Sequence, residues 1–236
     1  MPVPVGRNLV PLFEACDLSV AYDGQGEGAP VRLEGISFGL EPGIVYDLTG
    51  PSGAGKSMLL RACAQMMPIK GGRMLLDGTS SEAFTCQEWR RRVCLVPQRA
   101  SLVQGSIRDN LLLPWSLRVN RGRPAPSDPQ LERLLEAALL DVPLSRDAAK
   151  LSGGQAARVA LLRVFATKPS VMLLDEVDAA LDDGSALAVA KLTASLVDEG
   201  TTCLRIRHRP PDGIARVIFH LEDGKLSSEA GVKGGA

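Results

Sequence analysis

The sequence predicts an α/β domain built around a mostly parallel sheet, and three observations lead to this prediction. Short apolar runs at 93–96, 171–174 and 203–206 have the length and composition of buried strands. The run at 45–49 is followed at once by a glycine-rich turn and a helical pattern. Region 99–165 has helical patterning, and we expect it to form an inserted α-helical subdomain.

The length and charge of the chain limit its organisation and its partners. A chain of 236 residues can bury one substantial core, so we expect a single domain. Lysine and arginine total 27, as do aspartate and glutamate, and a net charge of zero does not favour nucleic acid as a partner. The densest basic run, at 90–92, is interpreted as the solvated end of a helix.

Cysteine usage and hydropathy bear on the compartment of the protein. The five cysteines are odd in number and widely spaced, and we expect buried free thiols in a reducing compartment. They are Cys16, Cys63, Cys86, Cys94 and Cys203. No apolar run reaches the roughly 18 residues that a membrane helix needs. If the protein works at a membrane, another chain is expected to supply the membrane part.

A glycine-rich segment with a lysine and a hydroxyl group is the first chemical feature. Its residues are Gly50, Pro51, Ser52, Gly53, Ala54, Gly55, Lys56 and Ser57. Glycines let backbone N–H groups converge on phosphate oxygens, Lys56 supplies a cation, and Ser57 can ligate Mg²⁺. A strand before the segment and a helix predicted at 57–67 give the context of a phosphate-binding loop. The alternative is a chance glycine turn.

Other elements are predicted on either side of this loop. Strands are expected at 12–22 and 31–40, separated by a glycine-rich turn at 23–30. A short strand is expected at 73–76, with glycine turns at both ends.

Within the helical region, Asp128 can cap and Pro129 can start a helix. Its apolar positions follow the i, i+3, i+4, i+7, i+8 pattern of an amphipathic helix. They are Leu131, Leu134, Leu135, Ala138 and Leu139. The α/β core is then expected at about 8–98 and 166–226, and the Gly/Ser-rich segment 227–236 is expected to be a mobile tail.

A second chemical feature precedes the helical run at 156–166. It consists of Ser152, Gly153, Gly154 and Gln155. A hydroxyl group, two glycines and a helix N-terminus can together bind an anion. Taken alone, such a segment is more often an ordinary helix cap. Its position about a hundred residues after the phosphate loop favours the anion-binding interpretation.

The third feature is a pair of carboxylates directly after the apolar strand at 171–174. Asp175 and Glu176 lie at the C-terminal end of that strand, where ligands bind in open α/β sheets. We predict that Asp175 holds Mg²⁺ and that Glu176 polarises the water that attacks a γ-phosphate. Without a phosphate loop, two acidic residues here would be interpreted as the start of a loop.

With these motifs in this order, the chain resembles the ATP-binding subunit of an ABC transporter over nearly its whole length. The resemblance identifies 50–57 as the Walker A motif, 151–155 as the signature, and 171–175 as Walker B followed by the catalytic Glu176. It implies a P-loop NTPase core with a RecA-like, mostly parallel sheet, an antiparallel β subdomain and the helical subdomain.

Four single residues are assigned by the same resemblance. Gln98 matches the Q-loop glutamine, with catalytic and metal-binding roles, and His208 matches the catalytic switch histidine. Asp182 matches the D-loop aspartate at the nucleotide, and Tyr22 matches the aromatic residue that stacks on adenine. Each also has a plain alternative: a loop amide, a loop histidine, a helix cap and a strand-end ring, respectively.

The resemblance also implies ligands and partners. It implies ATP and Mg²⁺, and a head-to-tail dimer in which Ser152 and Gly154 of one copy contact the nucleotide on the other. Gln98 and the helical subdomain would carry the motion to a transmembrane permease. The permease would be the only membrane contact, which puts the chain in the cytoplasm at the inner face of the cell membrane.

A narrower resemblance concerns the transported substrate. Segment 103–115, which ends in Pro114-Trp115, is similar to ATPase subunits that are paired with a compact permease in bacterial iron or metal export. Trp115 can equally well pack the subdomain. The alternative function is a soluble ABC-type ATPase without a permease. Such proteins usually carry two cassettes or a long coiled-coil insertion, and neither is visible.

Some residues depart from the family pattern. Residues 177–178 are Val-Asp where the family commonly has proline-threonine, and Arg209 follows the histidine where aspartate is frequent. Asp47 and Arg205 are charged residues in strands that should be apolar. Because these two strands are expected to be parallel neighbours, we predict that Asp47 pairs with Arg205, or else with Arg207. The alternative is that these side chains reach solvent at a strand end.

Overall fold

The computed structural model describes residues 10–21, 31–99, 101–179 and 181–231. The strands of this part of the chain are β1 (Phe13–Ala21), β2 (Val31–Leu40), β3 (Val45–Thr49), β4 (Gly71–Leu76), β5 (Thr79–Ser80), β6 (Val93–Val96), β7 (Val171–Asp175), β8 (Thr202–Ile206), β9 (Val217–Glu222) and β10 (Lys225–Ala230). Its α-helices are α1 (Lys56–Cys63), α2 (Cys86–Arg92), α3 (Ile107–Leu112), α4 (Asp128–Ala137), α5 (Gly153–Phe165) and α6 (Asp183–Leu196).

The larger sheet is mostly parallel, as the sequence predicts. Its strand order is β10-β9-β3-β8-β7-β6. Every neighbouring pair from β9 to β6 is parallel, and β10 pairs antiparallel with β9. Because parallel strands point the same way, the carboxyl ends of β3, β6, β7 and β8 share one edge of the sheet. The loops that follow these four strands therefore meet at that edge.

A smaller antiparallel sheet, in the order β2-β1-β4-β5, covers one face of the larger sheet. One hydrophobic cluster joins Phe13 of β1, Leu60 of α1 and Leu204 of β8. Trp89 of α2 is fully buried in this cluster, and its indole Nε1 donates to the carbonyl oxygen of Cys63 at 2.8 Å. The antiparallel β subdomain of the predicted fold class is thus confirmed.

Three helices from the inserted region, α3, α4 and α5, pack on the opposite face. A second cluster contains Leu111, Leu131 and Leu162 from these helices, together with Met172 of β7. The next residue of β7, Leu173, belongs to the first cluster, because successive side chains of a strand point to opposite faces. The bounds of the helical subdomain at 99 and 165 stay a prediction. Within the described ranges, each helix is too short or too polar to span a bilayer.

Helix α1 ends earlier than predicted. It stops at Cys63, and Gln65 has a left-handed backbone with φ 53°. A residue with this φ cannot continue a right-handed helix, so the prediction of a helix at 57–67 was four residues too long.

Both ends of α4 also differ from the prediction. The N-cap is Ser127, whose backbone N–H donates to Gln130 Oε1 at 2.8 Å. Asp128 is the first residue of the helix. Asp128 instead forms an ion pair with Arg108 at 2.8 Å. Leu139 lies beyond the helix with φ 53° and is 69% exposed, so its assignment to the apolar face was wrong.

The C-terminal segment and one cysteine require corrections too. Residues 227–230 belong to β10, where Ser228 faces Phe219 of β9, so a mobile tail from 227 onward was wrong for these residues. The last residues, 232–236, lie outside the described part of the chain. Cys63 and Cys203 are buried, as expected, but Cys86 is exposed because it opens helix α2 at the surface.

The predicted pairing of Asp47 is confirmed. β3 and β8 are parallel neighbours, and Asp47 lies opposite Arg205 in their register. Arg205 Nη2 lies 2.7 Å from Asp47 Oδ1, whereas Arg207 Nη1 is 4.0 Å from Oδ2. Asp47 and Arg205 are only 5% and 4% exposed, so they do not reach solvent at a strand end. Burial disfavours the guanidinium charge, but Asp47 and Asp212 outweigh this effect and raise the pKa of Arg205.

Replacement of Arg205 by methionine is expected to destabilise the fold strongly. The change leaves Asp47 buried without its close partner, which should lower the free energy of unfolding by about 3–5 kcal/mol. Asp47→Asn should cost less, because Arg205 keeps its ion pair with Asp212 at 3.1 Å. Urea denaturation of both variants measures these values.

The double variant serves as the control. If the uncompensated carboxylate causes the loss, Asp47→Asn should recover part of the stability when it is added to Arg205→Met. Equal losses in the two single variants, or strictly additive losses in the double variant, would contradict this account of the pair.

Candidate functional site

The loop between β3 and α1 depends on glycine. Gly50, Gly53 and Gly55 all have positive φ angles, of 141°, 80° and 100°. A Cβ atom on Gly50 would lie 2.1 Å from the carbonyl oxygen of Leu221 in β9, so a side chain there would clash with the backbone of the neighbouring strand. The predicted phosphate loop therefore forms a tight backbone turn at the carboxyl edge of the sheet.

Lys56 opens α1 and reaches back over this loop. Its Nζ donates to the carbonyl oxygens of Gly50 at 2.8 Å and Pro51 at 2.9 Å. The residue is only 5% exposed. Burial lowers the pKa of Lys56, while the carboxylates of Glu176 and Asp175 act in the opposite direction. A cation is thus held beside the turn, where phosphate oxygens could reach it.

Ser57 and Asp175, two of the residues expected to hold Mg²⁺, lie in direct contact. The Ser57 Oγ donates to Asp175 Oδ1 at 2.8 Å, and Asp175 is 4% exposed at the end of β7. A hydroxyl and a carboxylate oxygen at hydrogen-bond distance form a donor set of hard oxygen atoms. Such a set fits Mg²⁺, which takes one or two protein oxygens together with substrate phosphates.

Glu176 connects the loops after three different strands. One of its oxygens, Oε2, accepts from Gln98 Nε2 at 2.9 Å, and the other, Oε1, lies 2.8 Å from His208 Nε2. Gln98 follows β6 and His208 follows β8. The backbone of Glu176 has φ 51°, a conformation that costs a non-glycine residue free energy and is often found at functional sites. The three predicted catalytic residues are therefore in direct contact.

Several of these groups border one open cleft of about 260 Å³, whose lining does not include Asp175 or Gln98. Its lining residues are Ser52, Gly53, Gly55, Lys56, Ser57, Met58, Glu176 and His208. The cleft thus combines a glycine turn, a lysine, a hydroxyl group and a carboxylate, which can together bind a polyphosphate and activate water for its hydrolysis.

The remaining predicted residues lie elsewhere. Ser152 and Gly153 are exposed at the start of α5, where Ser152 Oγ accepts from the backbone N–H of Gln155 at 3.3 Å. Gly154 is buried, and a Cβ atom on it would lie 2.4 Å from Ser185 Oγ of α6. Among the described residues, the lining of the cleft includes none of these four. The cap alternative describes what Ser152 does within a single copy of the chain.

Among the described residues, Asp182 is also absent from the lining of the cleft. Asp182 is the N-cap of α6, and hydrogen bonds from Ser185, including its backbone N–H at 2.9 Å, lower the pKa of Asp182. Tyr22 lies outside the described residues.

Two acidic residues near the site were missed from the sequence. Asp178 Oδ2 lies 3.1 Å from Arg207 Nε, and Asp212 Oδ2 lies 2.7 Å from Arg207 Nη1. Arg205 is an unusual charge in an apolar strand, and Arg207 is the alternative partner of Asp47. The usable signal was that two buried arginines need more than one carboxylate partner. Asp178 and Asp212 are the nearby loop residues that provide these additional carboxylates.

The fold and the edge at which these groups meet place the chain in the class of P-loop nucleoside triphosphatases. The model of the family described as "ABC transporter" matches residues 33–179, which is more than half of the chain. The chain therefore belongs to the ABC transporter family and is an ATP-binding, ATP-hydrolysing domain of that family.

Individual relatives agree with this membership. The "Probable iron export ATP-binding protein FetA" of Escherichia coli (strain K12) is 36% identical over 153 residues, which is 65% of this chain and 67% of the relative. An "ATP-dependent lipid A-core flippase" of Xanthomonas campestris pv. campestris (strain 8004) is 32% identical over 209 residues, or 84% of this chain. The match spans only 34% of the flippase.

A solved structure shows the same fold. It is an ATP-binding cassette in a dimeric, post-hydrolysis state bound to ADP and Pi. It superposes with a TM-score of 0.78 at 23% identity, and the match covers 92% of this chain and 98% of the solved chain.

Glu176→Gln is expected to slow ATP hydrolysis by about 10²- to 10⁴-fold, because glutamine cannot accept a proton from water. Nucleotide affinity should stay near that of the wild type, since the lysine and the glycine turn are unchanged. Steady-state phosphate release and equilibrium nucleotide binding measure the two effects. Glu199→Gln, at an exposed loop position after α6, is the matched control and should keep full turnover. Near wild-type turnover in Glu176→Gln would reject Glu176 as the group that activates water.

Proposed function

We propose that this chain is the ATPase subunit of a transporter, in which two copies close over two Mg-ATP to drive a separate transmembrane permease. The observation that carries the proposal is the contact of Glu176 with both Gln98 and His208 beside the phosphate loop. This contact holds a carboxylate that can activate water beside the loop that would bind the phosphates. In the proposal, residues 50–57 surround the phosphates of ATP.

The proposed magnesium site uses Ser57 and Asp175, with Gln98 as a further oxygen ligand. The hydroxyl and the carboxylate already lie 2.8 Å apart, which supports their common use. The ion would neutralise charge on the β- and γ-phosphates.

The hydrolytic step uses the chain's own residues. Glu176 orients a water and accepts its proton as the water oxygen bonds to the γ-phosphorus and the bond to the β-phosphate oxygen breaks. His208 and Gln98 hold the Glu176 carboxylate from both sides. Lys56, which now contacts Gly50 and Pro51, balances negative charge on the phosphates.

A second copy is needed because one copy leaves the site open. The cleft is open to solvent, and Ser152 and Gly153 are exposed on α5 outside its lining. In the proposed dimer, Ser152, Gly153, Gly154 and Gln155 of one copy contact the nucleotide of the other, and Asp182 approaches it from α6. The dimeric form of the solved cassette supports this arrangement. Closure would exclude water and complete the site.

The permease and the transported substrate are the finer parts of the proposal. The E. coli relative named as an iron export protein supports iron or another metal as the substrate. In the proposal, the chain contacts the membrane only through the permease, at the cytoplasmic face. Nucleic acid is not a partner in the proposed function. Trp115 lies between α3 and α4, and its indole Nε1 donates to the carbonyl oxygen of Pro124 at 3.1 Å.

Ser152→Ala tests the dimer. Loss of this donor to the nucleotide on the other copy should lower turnover by about 100-fold and abolish its second-order dependence on protein concentration. The matched control is Thr85→Ala, because Thr85 Oγ1 accepts from the backbone N–H of Glu88 at the start of α2 as Ser152 Oγ accepts from Gln155 at the start of α5. Both changes should cost about 1 kcal/mol of stability, but the control should keep full turnover. First-order kinetics in the wild type, with Ser152 dispensable, would contradict the dimer.

Cellular iron and membrane co-purification test the transporter assignment. Cells that lack this chain should accumulate iron, measured by mass spectrometry, and the wild-type gene but not its Glu176→Gln variant should restore the normal content.

The tagged chain should bring a protein with several apolar spans of about 20 residues out of detergent-solubilised membranes. Recovery of the chain without such a partner would support a soluble ABC-type ATPase instead.

A further inference from the structure

The residues on both sides of His208 are arginines that bind the loop after β7. Arg207 Nε donates to Asp178 Oδ2 at 3.1 Å, and both side chains are 7% exposed. Arg209 Nε donates to the carbonyl oxygen of Asp178 at 3.2 Å, and its Nη1 donates to Asp183 at 2.7 Å. His208 is therefore fixed on both sides to segment 178–183.

Segment 178–183 is itself tied to Glu176. The backbone N–H of Ala179 donates to the Glu176 carbonyl oxygen at 3.1 Å, and Leu181 N–H donates to the Asp178 carbonyl oxygen at 3.2 Å. Arg209 Nη2 also donates to the carbonyl oxygen of Leu181. Asp178, Ala179 and Leu181 thus each contact Glu176 or Arg209 through a backbone group.

The Arg207–Asp178 ion pair belongs to a larger cluster of buried charged residues. Its members are Asp47, Asp178, Asp212, Arg205 and Arg207. Three carboxylates face two guanidinium groups, so the cluster is acidic by one charge. Arg207 Nη1 lies 2.7 Å from Asp212 Oδ2 but makes no well-aligned hydrogen bond, whereas its Nε bond to Asp178 is well formed.

The buried hydrogen bond between Arg207 Nε and Asp178 constrains the backbone at 207 more than an exposed ion pair would. Breaking it would leave a buried guanidinium Nε without its acceptor. A shift of His208 relative to Glu176 would require this bond to break or the whole 178–183 segment to follow. The Arg207–Asp178 pair therefore links the backbone beside His208 to the loop after Glu176, whose Oε1 lies 2.8 Å from His208 Nε2.

We propose that Asp178 and Arg207 are positioning residues that hold His208 against Glu176 and make His208 follow the 178–183 loop. This inference rests on the proposed function, because it assumes that Glu176 and His208 serve ATP hydrolysis. In the dimer, the loop ends at Asp182, which approaches the other copy. Because His208 Nε2 already lies 2.8 Å from Glu176 Oε1, the pair would keep this contact in place when the two copies close.

Asp178→Asn tests the proposal with little risk of unfolding. The change makes the buried cluster neutral, and asparagine keeps the shape of the side chain. We expect kcat to fall by about 10- to 100-fold because His208 is misplaced. The KM for ATP should stay near the wild-type value, since no residue of the phosphate loop changes. Asp178→Glu should restore part of the lost kcat.

Asp212→Asn is the matched control. It removes one carboxylate from the same cluster and also makes the cluster neutral, but Asp212 does not belong to the 178–183 loop. Thermal unfolding should be affected similarly in both variants, while kcat should fall mainly in Asp178→Asn. A similar fall of kcat in both variants would reduce Asp178 to a structural role and overturn the proposal.

A double-mutant cycle with His208→Ala decides whether Asp178 acts through the histidine. If it does, Asp178→Asn should lower kcat no further in the His208→Ala background. Independent, multiplicative losses would overturn the positioning role and leave the proposed function standing. If His208→Ala alone kept the wild-type kcat, both the positioning role and the catalytic assignment of His208 would fail.

Discussion

The parallel alignment of β3, β6, β7 and β8 is the constraint on which the site depends. Parallel strands end at the same edge of a sheet, so four segments far apart in the sequence deliver their first loop residues to one place. Ser57 meets Asp175 there, and Glu176 meets Gln98 and His208. Antiparallel order for any one of these strands would carry its loop to the opposite edge and remove its residue from the site.

The backbone conformation of individual residues further determines the geometry of the site. Gly50 turns against the backbone of Leu221, where a Cβ atom would clash, and Glu176 has a positive φ directly after β7. The buried charges below the site have a related effect. They replace apolar packing between β3 and β8 with directional ion pairs. Removal of one partner destabilises the fold, but the intact pairs fix the relative positions of neighbouring loops. In this protein, those loops carry His208 and Glu176.

Local signals in the sequence predicted the elements that carry the site, because the phosphate loop and the apolar strands depend on neighbouring residues. The Asp47–Arg205 pair was also predictable, since two unusual charges fell on strands expected to be neighbours. Asp212 was not predicted, because it lies in a loop whose path depends on tertiary contacts. Leu139 fits the helical period, yet the chain leaves the helix before it. Residues 227–230 belong to β10, which has no local apolar pattern and is paired along its length with β9.

The central claim is that ATP closes two copies of this chain over the cleft that one copy leaves open. Sedimentation of the purified Glu176→Gln variant with Mg-ATP and with Mg-ADP tests it most directly. The account predicts a dimer with ATP, trapped because hydrolysis is blocked, and a monomer with ADP or without nucleotide. A species that remains monomeric with saturating ATP at concentrations well above those of the turnover assay would contradict the claim.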